Sequence, residues 1–176
     1  MKLKKLINIV VLFSLIISMG CQKSPVQKLP GIDLPLSEMN IGIKLLVPEE
    51  ENSNIGSPII WILVTNTSDY KFRFSEQSDI YVFEFVDKEW IPIENLMDYG
   101  YGEDGSVYLE NDGPFAQYST VIGPAVTIGD ENILLRVVCI GEYISPDGST
   151  NQQAGAYRDF WLTPNRTVLT IDEESP

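Results

Sequence analysis

Ile59-Ile60-Trp61-Ile62-Leu63-Val64-Thr65 is the most apolar candidate strand of the chain and decides its fold class. β-Branched and aromatic residues dominate it, and such residues favour extended structure. Because apolar side chains occupy both alternating faces, we expect a central strand with Trp61 in the core. Residues 133–140 form a second strongly apolar run, in which we expect Val138 to be a core residue.

Shorter segments with a period of two surround these runs and predict an all-β protein of eight or nine strands with no helix. Strands separated by short turns favour a single antiparallel β-sandwich, and an eight-stranded barrel with a ligand inside is the alternative. The run ending at Thr65 and the next segment are joined by a short polar turn, so we expect them to pair. The segments are 41–47, 70–74, 79–86, 90–93, 118–122, 157–163 and 167–171.

Two long polar stretches interrupt the alternation, at residues 96–115 and 141–156. Long loops inside compact domains are uncommon and often functional. The first is rich in tyrosine, which offers stacking faces for sugars or peptides, and in carboxylates, which suit Ca²⁺. It lacks the Asp-x-Asp-x-Asp-Gly spacing of an EF-hand, and a solvated insertion also explains it. The candidate ligand surface comprises Tyr99, Tyr101, Glu103, Asp104, Tyr108, Glu110 and Asp112.

The charge and the absence of histidine limit the possible functions. The formal net charge is −13 and the chain contains no histidine. Such an acidic chain repels nucleic acid, so we expect no nucleic-acid partner. Without histidine, the commonest general base and transition-metal ligand are missing, so we expect no catalytic residues and no cofactor beyond a weak case for Ca²⁺. A carboxylate-dependent hydrolase is the least favoured alternative.

The first residues carry the pattern of a secretory signal. Three lysines, Lys2, Lys4 and Lys5, precede an apolar run that ends at Met19. This order is typical of a signal peptide, and the run is short for a membrane span. Ser18-Met19-Gly20-Cys21 resembles the lipobox of bacterial lipoproteins, although Ser18 stands where leucine is usual. The resemblance implies a signal peptide over residues 1–20, lipidation of Cys21 with palmitate-type chains, and a location outside the cytoplasm at the cell membrane or outer membrane.

The remaining chain divides into a tether and one domain. Residues 21–40 contain Pro25, Pro30 and Pro35 with no sustained periodicity, which predicts a flexible tether after the lipidated cysteine. Its 19 residues after Cys21 could reach roughly 60 Å at a polyproline rise. Residues 41–172 suffice for one β-sandwich domain. With Cys21 lipidated, Cys139 is left without a disulfide partner, and we expect it to be a buried apolar residue.

Two further resemblances bear on fold and function. The strand end Val64-Thr65-Asn66-Thr67-Ser68, Trp90 and the apolar strand ending at Cys139 are similar to immunoglobulin-like or fibronectin-like sandwiches of bacterial surface proteins. This implies a lipid-anchored binding or scaffolding protein that contacts an envelope protein or a glycan. The stretch from Asn66 to Trp90 also resembles a bacterial proteinase-inhibitor sandwich family, which implies, as the alternative, an inhibitor or regulator of an envelope or secreted protease.

Overall fold

The computed structural model describes residues 28–51, 58–97, 105–145 and 151–171, and these form two antiparallel sheets packed face to face. The prediction of an all-β antiparallel sandwich is confirmed. The strands are β1 (Ile43–Leu46), β2 (Glu50–Glu51), β3 (Ile60–Asn66), β4 (Lys71–Ser75), β5 (Ile80–Val86), β6 (Glu89–Ile93), β7 (Ser106–Leu109), β8 (Gln117–Ile122), β9 (Ile133–Ile144), β10 (Asn151–Leu162) and β11 (Thr167–Thr170). Two short 3₁₀ helices, Leu36–Glu38 and Gly113–Ala116, accompany them.

The small sheet has the order β1-β3-β8, and the large sheet has the order β2-β11-β10-β9-β4-β7, with β5 pairing β9 and β6. Alternation along each strand sends one set of side chains into the space between the sheets. Ile60, Ile62 and Val64 of β3 are fully buried there, as are Leu135 and Phe160 of the large sheet. The two apolar runs of the sequence therefore supply facing halves of one core.

The expected pairing of the segments around residues 58–65 and 70–74 is wrong, because β3 belongs to the small sheet and β4 to the large one. The polar turn between them carries the chain from one sheet to the other. Buried Asn66 holds this corner: its side-chain nitrogen donates to the carbonyl oxygens of Tyr70 (2.6 Å) and Glu110 (3.0 Å), and its oxygen accepts from the Ser68 N–H. Turn residues alone do not distinguish a hairpin from a crossing between sheets.

The predicted loop over residues 141–156 is also wrong over most of its length. β9 and β10 continue as a long hairpin with an unbroken ladder from Ile133↔Leu162 to Ile144↔Asn151. These parts of β9 and β10 contain polar residues because one face of the hairpin contacts solvent. Their composition therefore predicted a loop rather than a strand. Gly141 lies so close to the Phe72 ring and the Arg73 carbonyl that a side chain would collide with them. Within the other predicted loop, β7 pairs with β4.

Residues 28–40, which the sequence assigns to the tether, pack on the outer face of the large sheet, and we call this segment the strap. Its Leu29, Ile32, Leu34 and Met39 are at most 6% exposed and share a cluster with Phe83, Val138 and Ile140. At its end, the Asn40 N–H donates to the Gly155 carbonyl, and its side-chain oxygen accepts from the Tyr157 N–H (both 2.9 Å). Apolar residues without regular spacing thus cover an apolar sheet face. Residues 21–27 of the tether lie outside the described residues.

The outer face of the small sheet has no such cover within the described ranges. Trp61, expected in the core, is 49% exposed there, whereas its neighbours Ile60 and Ile62 are fully buried. The prediction for Trp61 is wrong because β3 is central in its sheet but has a core on one side only. Val138 is fully buried as expected, although beneath the strap rather than between the sheets.

Candidate functional site

The structure describes three of the seven loop residues predicted as a ligand surface. Tyr108 lies on β7 and is 53% exposed, and Asp112 is exposed immediately before the second 3₁₀ helix. The Glu110 carboxylate pairs with the Lys71 ammonium at 2.7 Å. Tyr99, Tyr101, Glu103 and Asp104 lie outside the described residues, as does Cys21.

A row of polar side chains crosses β7, β4 and β9 beside this loop. The Arg73 guanidinium hydrogen-bonds Tyr108 and donates to the Glu142 carboxylate at 2.9 Å, and these contacts raise the pKa of Arg73. A polar hollow of about 410 Å³ adjoins Arg73 and Ser106, where the chain re-enters the sheet. Within the described ranges, no group of three or more acidic or cysteine side chains is placed to hold a metal ion. Of the described residues of the predicted surface, Glu110 thus forms an ion pair with Lys71 and Tyr108 a hydrogen bond with Arg73.

A hollow that we call the seam groove lies where β1 approaches β10. Its volume is about 740 Å³. One wall belongs to the small sheet, and the other belongs to β10 and the residue after β11. The lining residues are Asn40, Lys44, Leu45, Leu46, Leu63, Thr65, Thr67, Tyr157, Arg158, Asp159 and Ile171.

The charges in the seam groove are unusual for so acidic a chain. Lys44 is exposed, and the Arg158 guanidinium donates to the Ile171 carbonyl at 2.8 Å. Asp159 is the only carboxylate among the lining residues that the structure describes, and its two oxygens accept from the guanidinium of Arg136 at 2.6 and 2.7 Å. Because this bidentate pair neutralises Asp159, two cations and several hydroxyls face an otherwise apolar groove.

Arg136 lies behind the seam groove and is only 7% exposed. Its guanidinium carbon is 4.2 Å from the Trp90 ring centroid and 4.4 Å from that of Tyr157, so the cation is held between two aromatic faces. Nη1 is buried and has no hydrogen-bond acceptor among the described residues, and the negative faces of the rings stabilise it instead. This site was not predicted from the sequence. A single charge inside the apolar run over residues 133–140 was the signal that could have indicated it.

The outer face of the small sheet, which we call the bare face, continues from the seam groove. Leu46 and Leu63 are paired neighbours and line the groove, while Trp61 on β3 and Ile59 immediately before β3 extend the same face. Leu46, Ile59 and Trp61 are 47%, 36% and 49% exposed. Exposed apolar side chains that adjoin one another are characteristic of interaction surfaces, whereas single ones are ordinary.

The single described cysteine offers no chemistry at these surfaces. Cys139 is fully buried on β9, and burial, with a smaller contribution from the charge of Asp79, raises the pKa of its thiol. The thiol is therefore protonated at neutral pH and is a poor nucleophile. This agrees with the buried apolar role expected for Cys139.

No protein-family model matches the chain, and no curated protein sequence matches it. Among the described residues, no helix has the length and apolar character required to cross a membrane. Function is therefore inferred from the geometry of the molecule. The surface combines a groove that contains two cations, an adjoining apolar sheet face, and a carboxylate whose two oxygens already accept hydrogen bonds from an arginine.

Proposed function

We propose that the protein is a lipid-anchored, extracytoplasmic binding protein of the bacterial envelope that contacts its partner through the seam groove and the bare face. The observation that carries this proposal is the continuity of the two surfaces through Leu46 and Leu63. Together they present a large apolar area beside a hollow with polar groups, which is the composition of protein-binding surfaces.

Binding explains this surface better than catalysis does. A general base needs an accessible lone pair, and both oxygens of Asp159 already accept hydrogen bonds from Arg136. The other ionisable groups among the described lining residues are Lys44, Arg158 and Tyr157, which suit ligand recognition and, within that set, have no activating base beside them. We therefore expect no turnover.

The partner that fits best is an envelope protein. Flat apolar area around Trp61 favours a protein surface of similar shape, and Trp is enriched at the centres of such interfaces. Lys44 and Arg158 favour a partner with acidic groups at the rim of its contact area. A glycan, the other partner expected from the sequence, would depend on Trp61 and the groove hydroxyls more than on Lys44.

The location follows from the lipobox-like Ser18-Met19-Gly20-Cys21 and the signal-like residues before it. Two or three acyl chains on Cys21 would anchor the protein firmly, since one chain alone binds a bilayer only marginally. Replacing Cys21 by Ser should abolish palmitate labelling, while Cys139→Ala should leave it intact. Persistent labelling of the Cys21 variant would contradict the anchor.

The binding surface is tested by crosslinking the protein to envelope proteins in its host cell. We expect one discrete crosslinked species that Trp61→Glu abolishes and that Ile91→Glu, at a similarly exposed site on β6 of the large sheet, preserves. Lys44→Glu should weaken the binding of an acidic protein partner and leave the binding of a glycan unchanged. Crosslinking that is equal in both variants would place the partner elsewhere.

A further inference from the structure

We propose that the strap turns the outer face of the large sheet toward the bilayer that holds Cys21, so that Trp161, Phe85 and Leu169 lie against the lipid headgroups. The bare face of the small sheet is then directed away from the membrane. This inference rests on the proposed lipid anchor and adds a second surface, whose partner is the lipid itself.

The first support is that the strap is attached to the domain. Leu34 lies over Gly155, since a side chain at Gly155 would come within 3.3 Å of its methyl carbon. Leu29 is 3% exposed in the same cluster, so the chain is held against the large sheet from residue 29 onward. The tether from the lipid anchor is therefore attached to the domain at Leu29, on the outer face of the large sheet.

The second support is the reach of the chain before that point. Cys21 and Leu29 are separated by about eight residue steps, which span at most about 29 Å when fully extended. A domain of this size has a diameter of about 35 Å, and a path over half its circumference measures about 55 Å. With the strap docked, the bare face cannot be brought against the bilayer. The free 19-residue tether expected from the sequence would permit it.

The third support is the character of the surface beside the strap. Trp161, Phe85 and Leu169 project from the outer face of the large sheet and are 36%, 40% and 38% exposed. Trp161 pairs with Leu169, and the Phe85 ring lies 5.0 Å from that of Trp90. Tryptophan and other aromatic side chains favour the membrane interface. The nearby Asp159 is neutralised by Arg136, which removes one charge that would oppose such contact.

The distribution of tryptophans makes the orientation measurable. The full-length chain, purified from membranes with its anchor, is reconstituted into phosphatidylcholine vesicles whose acyl chains are brominated near the headgroup. One variant keeps only Trp161 (Trp61→Phe, Trp90→Phe), and the matched variant keeps only Trp61 (Trp90→Phe, Trp161→Phe). We expect quenching of the Trp161 emission to be at least about twofold stronger than that of Trp61, because interfacial residues lie closest to the bromines. Equal quenching, or stronger quenching of Trp61, would overturn the orientation.

A strap variant separates this inference from the anchor itself. Ile32→Asp with Leu34→Asp should detach the strap and lengthen the free tether, so the difference between the two tryptophans should shrink toward zero. If the difference survives, the strap does not set the orientation. Flotation with the vesicles and palmitate labelling report the anchor separately: protein that neither floats nor labels refutes the anchor, whereas floating protein with equal quenching refutes only the orientation.

Discussion

The outer faces of the two sheets are both apolar, yet one is covered and the other is not. On the large sheet, Phe83 and Val138 are fully buried beneath the strap, whereas on the small sheet Trp61 and Leu46 are about half exposed. Alternation along a strand tells which side chains leave the core, but it does not tell whether another layer of chain meets them. The difference separates apolar residues that stabilise the fold from apolar residues available to a partner.

The largest expected effect lies beneath the strap, at Phe83. Replacing Phe83 by Ala should lower the free energy of unfolding by about 3–5 kcal/mol, because it leaves a cavity between the sheet and the strap. Phe85, two residues on along the same face but outside the strap, is the matched control, and Phe85→Ala should cost less than about 1.5 kcal/mol. Urea denaturation measures both. Similar losses at the two positions would mean that the strap adds no second core.

The second largest effect is expected at the Arg136–Asp159 ion pair, because the Arg136 side chain is buried and that of Asp159 is only partly exposed. Arg136→Met should cost about 2–4 kcal/mol, since it removes a stacked cation and leaves Asp159 without its bidentate partner. The exposed Lys71–Glu110 pair serves as the control, and Lys71→Met should cost less than about 1 kcal/mol. Denaturation midpoints compare the two. A small effect at Arg136 would show that aromatic packing, rather than the ion pair, holds this part of the sheet.

The contribution of the strap to stability is measured by comparing two leucines. Leu34 is 6% exposed against the large sheet, and Leu46 is 47% exposed on the bare face. Leu34→Ala should cost about 2 kcal/mol, toward the low end for buried leucines because the strap is peripheral and can relax. Leu46→Ala should cost less than about 0.5 kcal/mol. Amide exchange of Asn40 and Tyr157, which hydrogen-bond at the end of the strap, should accelerate only in the Leu34 variant.

The smallest effect is expected at Trp61 on the bare face. Trp61→Thr keeps a strand-forming residue and should change the free energy of unfolding by less than about 1 kcal/mol, because half of the indole already contacts water. Thermal denaturation provides the measurement. A loss above 2 kcal/mol would indicate that Trp61 belongs to a covered layer, and the bare face would no longer be a binding surface.

The sequence predicted the all-β sandwich and the extended run over residues 59–65, and it failed where one layer meets another. Because both faces of that run are apolar, Trp61 was assigned to the core, since apolar character does not reveal which face is covered by another layer. The strap escaped prediction because its apolar residues follow no period and are spaced by prolines. The stacking of Arg136 between Trp90 and Tyr157 joins residues that are distant in sequence, so these three side chains meet only in the folded sheet.

The hydrogen bond between Asn40 and Tyr157 also bears on the order in which the protein folds. It joins residues 117 positions apart, and such long-range contacts form only after most of the chain has been ordered. During synthesis the strap emerges before every strand of the sandwich, but its docking strands β9 and β10 emerge nearly last. Its leucines and isoleucine are therefore unprotected through most of chain synthesis and depend on late closure to avoid aggregation. A β-sandwich closed by its own N-terminal segment is complete only when almost the whole domain is available.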